Sequence, residues 1–447
     1  MKCRSSIKIN QKLFIVALGL VILQTPIVVW LWSKFPSYAL IFKSIADFII
    51  IISFLVSVYL IIKNWSKFKK YCTLLSLIGI YMLITTLVSL FTWGQWQSLM
   101  AGLVIDLRYI LMLVSGFALG VLDKTWIEKV TKFVLISGLI VSIFALLQVT
   151  ILPRDFLANF GYSVETIQPY QLIDENEAYV RINSTLRGPN PLGAFSVIIL
   201  ALALSRFYSE GKIKQANKSN LVLVLLAGLS LFSSHSRSAW LAGALVVVAC
   251  LVFYFKSARQ LVKWSILAGL SLILIGLGFL IIKDDNYSLV DEFQHLILHE
   301  NTETSHISSD EERQSSLTTA MNLIKDRPIL GHGVGSAGSA SLLRQDGKER
   351  IIENQFLFVW YETGLVGLMV FLSLYGVVLN SLFRLRHDWV ALGLLLSGVG
   401  LAVVGLFLPV FVDNAVAVTW WGLSGAIIGK LRYNKGKLCN VLQKNKS

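Results

Sequence analysis

The sequence predicts an all-α integral membrane protein with about twelve transmembrane helices, on three observations. Of 447 residues, 55% are hydrophobic and 15% charged, with a mean hydropathy of +0.68. Soluble domains carry about 25% charged residues, so this chain cannot cover the polar surface that a soluble fold needs. Second, about twelve apolar stretches are long enough to cross a hydrocarbon core of about 30 Å. Third, every second connection between them is basic. The same composition excludes a disordered chain, a collagen-like repeat and a disulfide-built scaffold.

The expected spans cover 13–32, 39–62, 72–91, 99–121, 133–152, 190–207, 220–234, 239–255, 264–282, 355–379, 390–409 and 414–429. The first apolar run is too long for a signal peptide and is read as a helix. The spans divide the chain into helices 1–5 (1–152), an external loop (153–189), and helices 6–9 (190–282). A large external loop between helices 9 and 10 follows (283–354), then helices 10–12 with a basic tail (355–447). About two thirds of the 40 lysines and arginines fall at the termini and in 63–71, 122–132, 206–219, 256–263 and 380–388. Short basic loops face the cytoplasm, so both termini are expected inside and the two long loops outside. The net charge of +14 then reflects loops facing anionic membrane lipid, with no nucleic acid implied. Cys3, Cys72, Cys250 and Cys439 lie on or near the cytoplasmic side, and no Cys/His spacing suggests a metal site.

Function is expected in the long loops, because ordered loops on a rigid scaffold carry most binding and catalytic groups. Ser309-Asp310-Glu311-Glu312 has the form of a capping box, and Leu317, Met321 and Ile324 recur at helical spacing before Arg327-Pro328. An amphipathic helix is therefore expected over 309–327, with Arg313 on the stripe of Leu317, either aimed at the protein or snorkelling to water. Gly331-His332-Gly333-Val334-Gly335 allows close backbone approach, and lacks the Lys-Ser/Thr of a P-loop. Glu353-Asn354 stands at the mouth of the tenth span, where a carboxylate also suits a helix start. Arg187 lies among the prolines that open the sixth span, and Arg237 in a hydroxyl-rich turn between the seventh and eighth. Arginines at this depth suit a phosphorylated lipid, because paired N–H donors match phosphate oxygens. Within the spans, Lys43 and Asp47 are spaced to pair on one helix face. Asp106 and Arg108 diverge, and each needs a partner on another helix.

The order of these elements resembles the O-antigen ligase and polymerase family of bacterial membrane glycosyltransferases. The matching pieces are Arg187-Gly188-Pro189-Asn190-Pro191-Leu192-Gly193, Ser236-Arg237-Ser238-Ala239-Trp240, Arg327-Pro328-Ile329-Leu330-Gly331-His332-Gly333-Val334-Gly335, and Glu353-Asn354-Gln355 running into Glu362-Thr363-Gly364. The ligases carry His-Asn where this chain has Glu353-Asn354, whereas members that polymerise repeat units often have an acidic residue there. The resemblance implies a C-type glycosyltransferase-like frame in the bacterial cytoplasmic membrane with an external active site. It also implies an undecaprenyl-diphosphate-linked oligosaccharide donor, a glycan acceptor and no cofactor. The reaction expected is polymerisation of surface polysaccharide repeat units. Ligase-type transfer to a lipid or protein acceptor is the alternative, and a transporter or flippase is a third reading.

In this reading Arg187, Arg237 and Arg313 hold the diphosphate as fixed charges, with His332 and Asn354 also binding substrate. No Asp-x-Asp motif occurs, which favours metal-independent transfer. Glu353 and Arg237 are the expected catalytic residues. Glu353 would accept the proton of the attacking hydroxyl, and because an ordinary glutamate is a weak base, burial would have to raise its pKa.

Overall fold

The computed structural model describes residues 2–92, 95–173, 176–209, 218–254, 309–345, 347 and 349–431. The first helices are α1 (Lys2–Leu23), α2 (Thr25–Lys34), α3 (Ala39–Lys63), α4 (Cys72–Val88), α5 (Trp96–Leu122) and α6 (Trp126–Thr150). A hairpin of β1 (Tyr170–Ile173) and β2 (Asn176–Ile182) interrupts them. Next come α7 (Pro189–Ser209), α8 (Lys218–Ser233), α9 (Arg237–Tyr254) and α10 (Ser309–Lys325). The last three are α11 (Gln355–Arg384), α12 (Trp389–Gly405) and α13 (Asn414–Ile428). Among the described residues, seven helices are long and apolar enough to cross a membrane, and four further apolar helices are shorter. The protein is an all-α membrane protein, with the hairpin as its one sheet among the described residues.

Differences from the expected spans have local causes. The span expected over 13–32 is part of a helix that starts at Lys2 and breaks at Gln24. Hydropathy marks the apolar stretch rather than the polar turns before it, and Pro26 removes a backbone donor at the break. The tenth span continues to Arg384. The ninth, expected over 264–282, lies outside the described residues. The hairpin at 170–182 was not anticipated; its register sets Gln171 opposite Arg181, with an irregularity between Leu172 and Ile173.

Helices α5 and α13 meet along a seam of small residues. A methyl group at Gly116 would stand 2.1 Å from the carbonyl oxygen of Gly422, one at Gly120 2.0 Å from that of Ala426, and one at Gly425 2.2 Å from that of Leu113. Backbones this close gain dispersion contact that longer side chains would forbid, which is how helices associate without a hydrophobic driving force. At one end of the seam, Trp420, Trp421, Phe411, Tyr375, Phe371 and Tyr109 pack ring to ring. Two of the buried polar atoms there bond to α12: Trp420 Nε1 donates to the Leu394 carbonyl at 2.9 Å, and Tyr375 Oη to the Gly398 carbonyl at 2.6 Å. This block joins α11, α12 and α13 and supports the loops described next.

Candidate functional site

A cavity of about 290 Å³ opens between the start of α7 and the α12–α13 connection. Gln171, Arg187 and Asn190 line one side, and Pro409, Val412 and Asp413 the other. Arg187 is exposed. Behind the wall, Arg108 is 5% exposed; its guanidinium lies 3.8 Å from Asp47 and donates to the Val412 carbonyl. Arg187 lies close enough to act on the charges of Lys43 and Arg108, and Asp413 on that of Arg108. Three cations thus stand around this wall against the carboxylates of Asp47 and Asp413, which favours an anion in the cavity. Lys43 sits over the Trp32 ring at 3.3 Å instead of pairing with Asp47 as its spacing allowed. The packing of α3 on α5 gives Asp47 to Arg108.

Local chemistry explains how this wall is held. Asp413 caps α13, its Oδ1 accepting from the Ala415 amide at 3.0 Å and the Val416 amide at 3.3 Å. Arg181, on β2, donates to Asn190 Oδ1 at 2.6 Å and to the Ser234 carbonyl at 3.3 Å. One guanidinium thereby ties the hairpin to the start of α7 and to the turn before α9. Arg237 is the first residue of α9 and is half-buried. Its turn is built by His235 in the left-handed region (φ 47°), by the Ser236 amide donating to Ser234 Oγ at 3.3 Å, and by Trp240 stacked on Phe232. The segments of Arg187 and Arg237 are thus joined through Arg181.

Glu353 is half-buried just before α11. Asn354 is the N-cap of α11: its side-chain oxygen accepts from the Phe356 and Leu357 amides, and its Nδ2 donates to the Leu406 carbonyl at 2.8 Å. Gln355 Oε1 accepts from the Phe411 amide at 2.8 Å. The start of α11 is therefore fastened to the connection that forms the far wall of the cavity. Of the predicted site residues, Arg187 lines this cavity, while Glu353, Asn354, Arg237 and His332 stand outside its lining. Arg313 lies on α10, and its side chain is outside the described residues.

The glycine run explains itself against α11. Gly364 breaks that helix with φ 70°. The break frees carbonyls and amides that trade partners with the loop: the His332 and Gly333 amides donate to the Tyr361 and Glu362 carbonyls at 2.8 and 2.9 Å, and the Leu365 amide donates to Pro328 at 2.9 Å. Irregular backbone is tolerated beside membrane helices only when its polar groups are satisfied in this way. A methyl group at Gly364 would stand 2.1 Å from the Ile329 oxygen, which the positive φ forbids in any case. On the other flank, Ser98 Oγ donates to the Gly335 carbonyl at 2.5 Å. His332 stacks on Tyr361 with centroids 4.3 Å apart. Partial burial pushes its imidazole below the ordinary histidine pKa, against the opposing pull of the Tyr361 carbonyl. It is neutral at neutral pH, and so can accept a proton or a hydrogen bond.

Arg181, Asp413 and Glu362 were missed as site residues. Asp413-Asn414 before an apolar run is an N-cap signal that was available; Arg181 carried no such signal. The carboxyls of Asp106 on α5 and Glu362 on α11 meet inside the bundle, 8% and 1% exposed.

Residues 222–372, which include Arg237, the glycine run and Glu353, match the family model described as O-antigen ligase. A curated O-antigen polymerase from Salmonella muenchen is 22% identical over 293 residues, covering 63% of this chain and 68% of the relative. Both matches support the O-antigen ligase and polymerase family.

Proposed function

We propose that this chain polymerises polysaccharide repeat units carried on undecaprenyl diphosphate, at the outer face of the cytoplasmic membrane. The observation that carries this reading is the cavity wall of Arg187, backed by Arg108 and Lys43. A diphosphate is already a good leaving group, so the protein must position it and stabilise the charge it gains as it leaves. An acceptor sugar hydroxyl attacks the anomeric carbon, the bond to the diphosphate breaks, and the hydroxyl proton passes to a base. Glu353 serves as that base or orients the acceptor, at the start of α11 and fastened to the far wall through Asn354 and Gln355. Purified protein given a radiolabelled lipid-linked repeat unit should form long chains. A single transfer to a different acceptor would instead establish the ligase reading. No chemistry would leave a transporter.

Two tests bear on parts of this reading. Glu353→Gln keeps size and hydrogen bonding but removes basicity. As the base, it should lose about a hundredfold or more in turnover with donor binding little changed. If Glu353 only orients the acceptor, Glu353→Ala will lose more than Glu353→Gln; wild-type rates and chain lengths in both would remove it from the site. For orientation, a single cysteine placed in 283–352 of a cysteine-free variant should react with an impermeant thiol reagent from outside, and one at 212–218 should not. The reverse pattern would put the site on the wrong face.

A further inference from the structure

We propose that Glu362, held by Asp106, is a positioning residue that fixes the glycine loop beside the site. Three independent features converge on its carboxyl. Its Oε1 accepts from the Ala337 amide at 3.0 Å, the Gly335 amide lies near the same group, and Asp106 reaches it from α5. Its own main-chain carbonyl accepts from Gly333. One residue therefore fastens both limbs of the loop, before and after Val334. The loop has no room to sit elsewhere: a methyl group at Gly102 would stand 2.3 Å from the Gly335 nitrogen, and one at Gly331 2.5 Å from the Glu362 carbonyl oxygen.

Asp106 and Glu362 share one small cavity with Tyr81, Tyr109 and Gln355. Two carboxyl groups form a hydrogen bond only with one proton between them, which spares the bundle a second negative charge. The shared proton leaves the remaining lone pairs of Glu362 free to accept from the loop amides. Its energetic weight comes from burial, since an amide stranded at this depth loses a bond that no water replaces. The consequence is felt at His332, which sits between Gly331 and Gly333 and keeps its place on Tyr361 only while both limbs hold.

The part played in catalysis rests on the glycan-transfer reading, but the clamp itself is readable without substrate. Full-length protein in lipid nanodiscs would be followed by amide hydrogen exchange, alongside polymer synthesis. In the wild type the Gly335 and Ala337 amides should be among the slowest to exchange in 309–354, and fast exchange there would overturn the proposal. Glu362→Gln keeps an acceptor for Ala337 and gives Asp106 a donor, so it should retain slow exchange and at least half the rate. Glu362→Met matches its length without hydrogen bonds, and should speed exchange over 333–337 and lower the rate by at least tenfold. Asp106→Asn should resemble Glu362→Gln. Wild-type exchange and rate in Glu362→Met would overturn the proposal. So would a Glu362→Gln protein as inactive as Glu362→Met, because the carboxylate itself would then be required. An inactive wild type with slow loop exchange would count against the glycan-transfer reading alone.

Discussion

Arg187→Ala should lower polymer formation by about a hundredfold or more while the protein still accumulates in the membrane. The side chain is exposed on the cavity wall, and the structure around it is held by Arg181, Asn190 and Asp413, so its removal leaves the wall standing. What is lost is a charge aimed at the departing diphosphate, and removing one such preorganised donor typically costs two to three powers of ten in rate. Arg237→Ala should behave alike. Arg187→Lys and Arg237→Lys should recover part of the activity, since lysine keeps the charge without the paired donors. The radiolabelled lipid-linked repeat unit gives both readouts, rate and chain length. Full activity in the lysine variants would reduce these residues to general surface charges, and full activity in the alanine variants would remove the diphosphate site.

Gly425→Ala should strip the protein of most of its stability even though the change adds one methyl group. In an isolated helix the same substitution helps by about 1 kcal/mol. Here the methyl would stand 2.2 Å from the Leu113 carbonyl oxygen and 2.9 Å from the Phe117 nitrogen, both backbone atoms that no side-chain rotation can move. Helices α5 and α13 must separate, at an overpacking cost of about 3 kcal/mol or more. Gly116→Ala and Gly120→Ala should act similarly from the other side. Gly79→Ala and Gly376→Ala are the controls: nothing lies within 4 Å of the added methyl, so stability should hold or rise. Midpoints of thermal aggregation in detergent would separate the two groups. A Gly425→Ala protein as stable as Gly376→Ala would mean that the seam opens freely.

The membrane class and the places of most helices were legible because each depends on a short stretch of chain. An apolar run long enough to cross a bilayer reports itself wherever it packs, and Asn354 or Asp413 before such a run can cap it with no knowledge of the rest. Arg187 and Arg237 stood out as candidates for the same reason, since each lies in a short polar segment at the end of a span. Asp106 and Arg108 could be read as needing partners on other helices.

Which partners they found was settled only by packing. Lys43 and Asp47 could have paired on their own helix, but α3 meets α5 so that Asp47 faces Arg108 and Lys43 covers Trp32. Nothing local marks Glu362 as the group that meets Asp106, or Arg181 as the clasp between a hairpin, a helix start and a turn. The helix break at Gly364 reads in isolation as one more membrane glycine. It becomes a docking edge once the loop from Pro328 to Gly333 takes up the freed hydrogen bonds. Hydrophobicity acts through the length and composition of a segment, so sequence alone determined which segments enter the bilayer. A buried polar group is satisfied by direction and distance, and only the tertiary structure could decide which residue, far along the chain, would answer it.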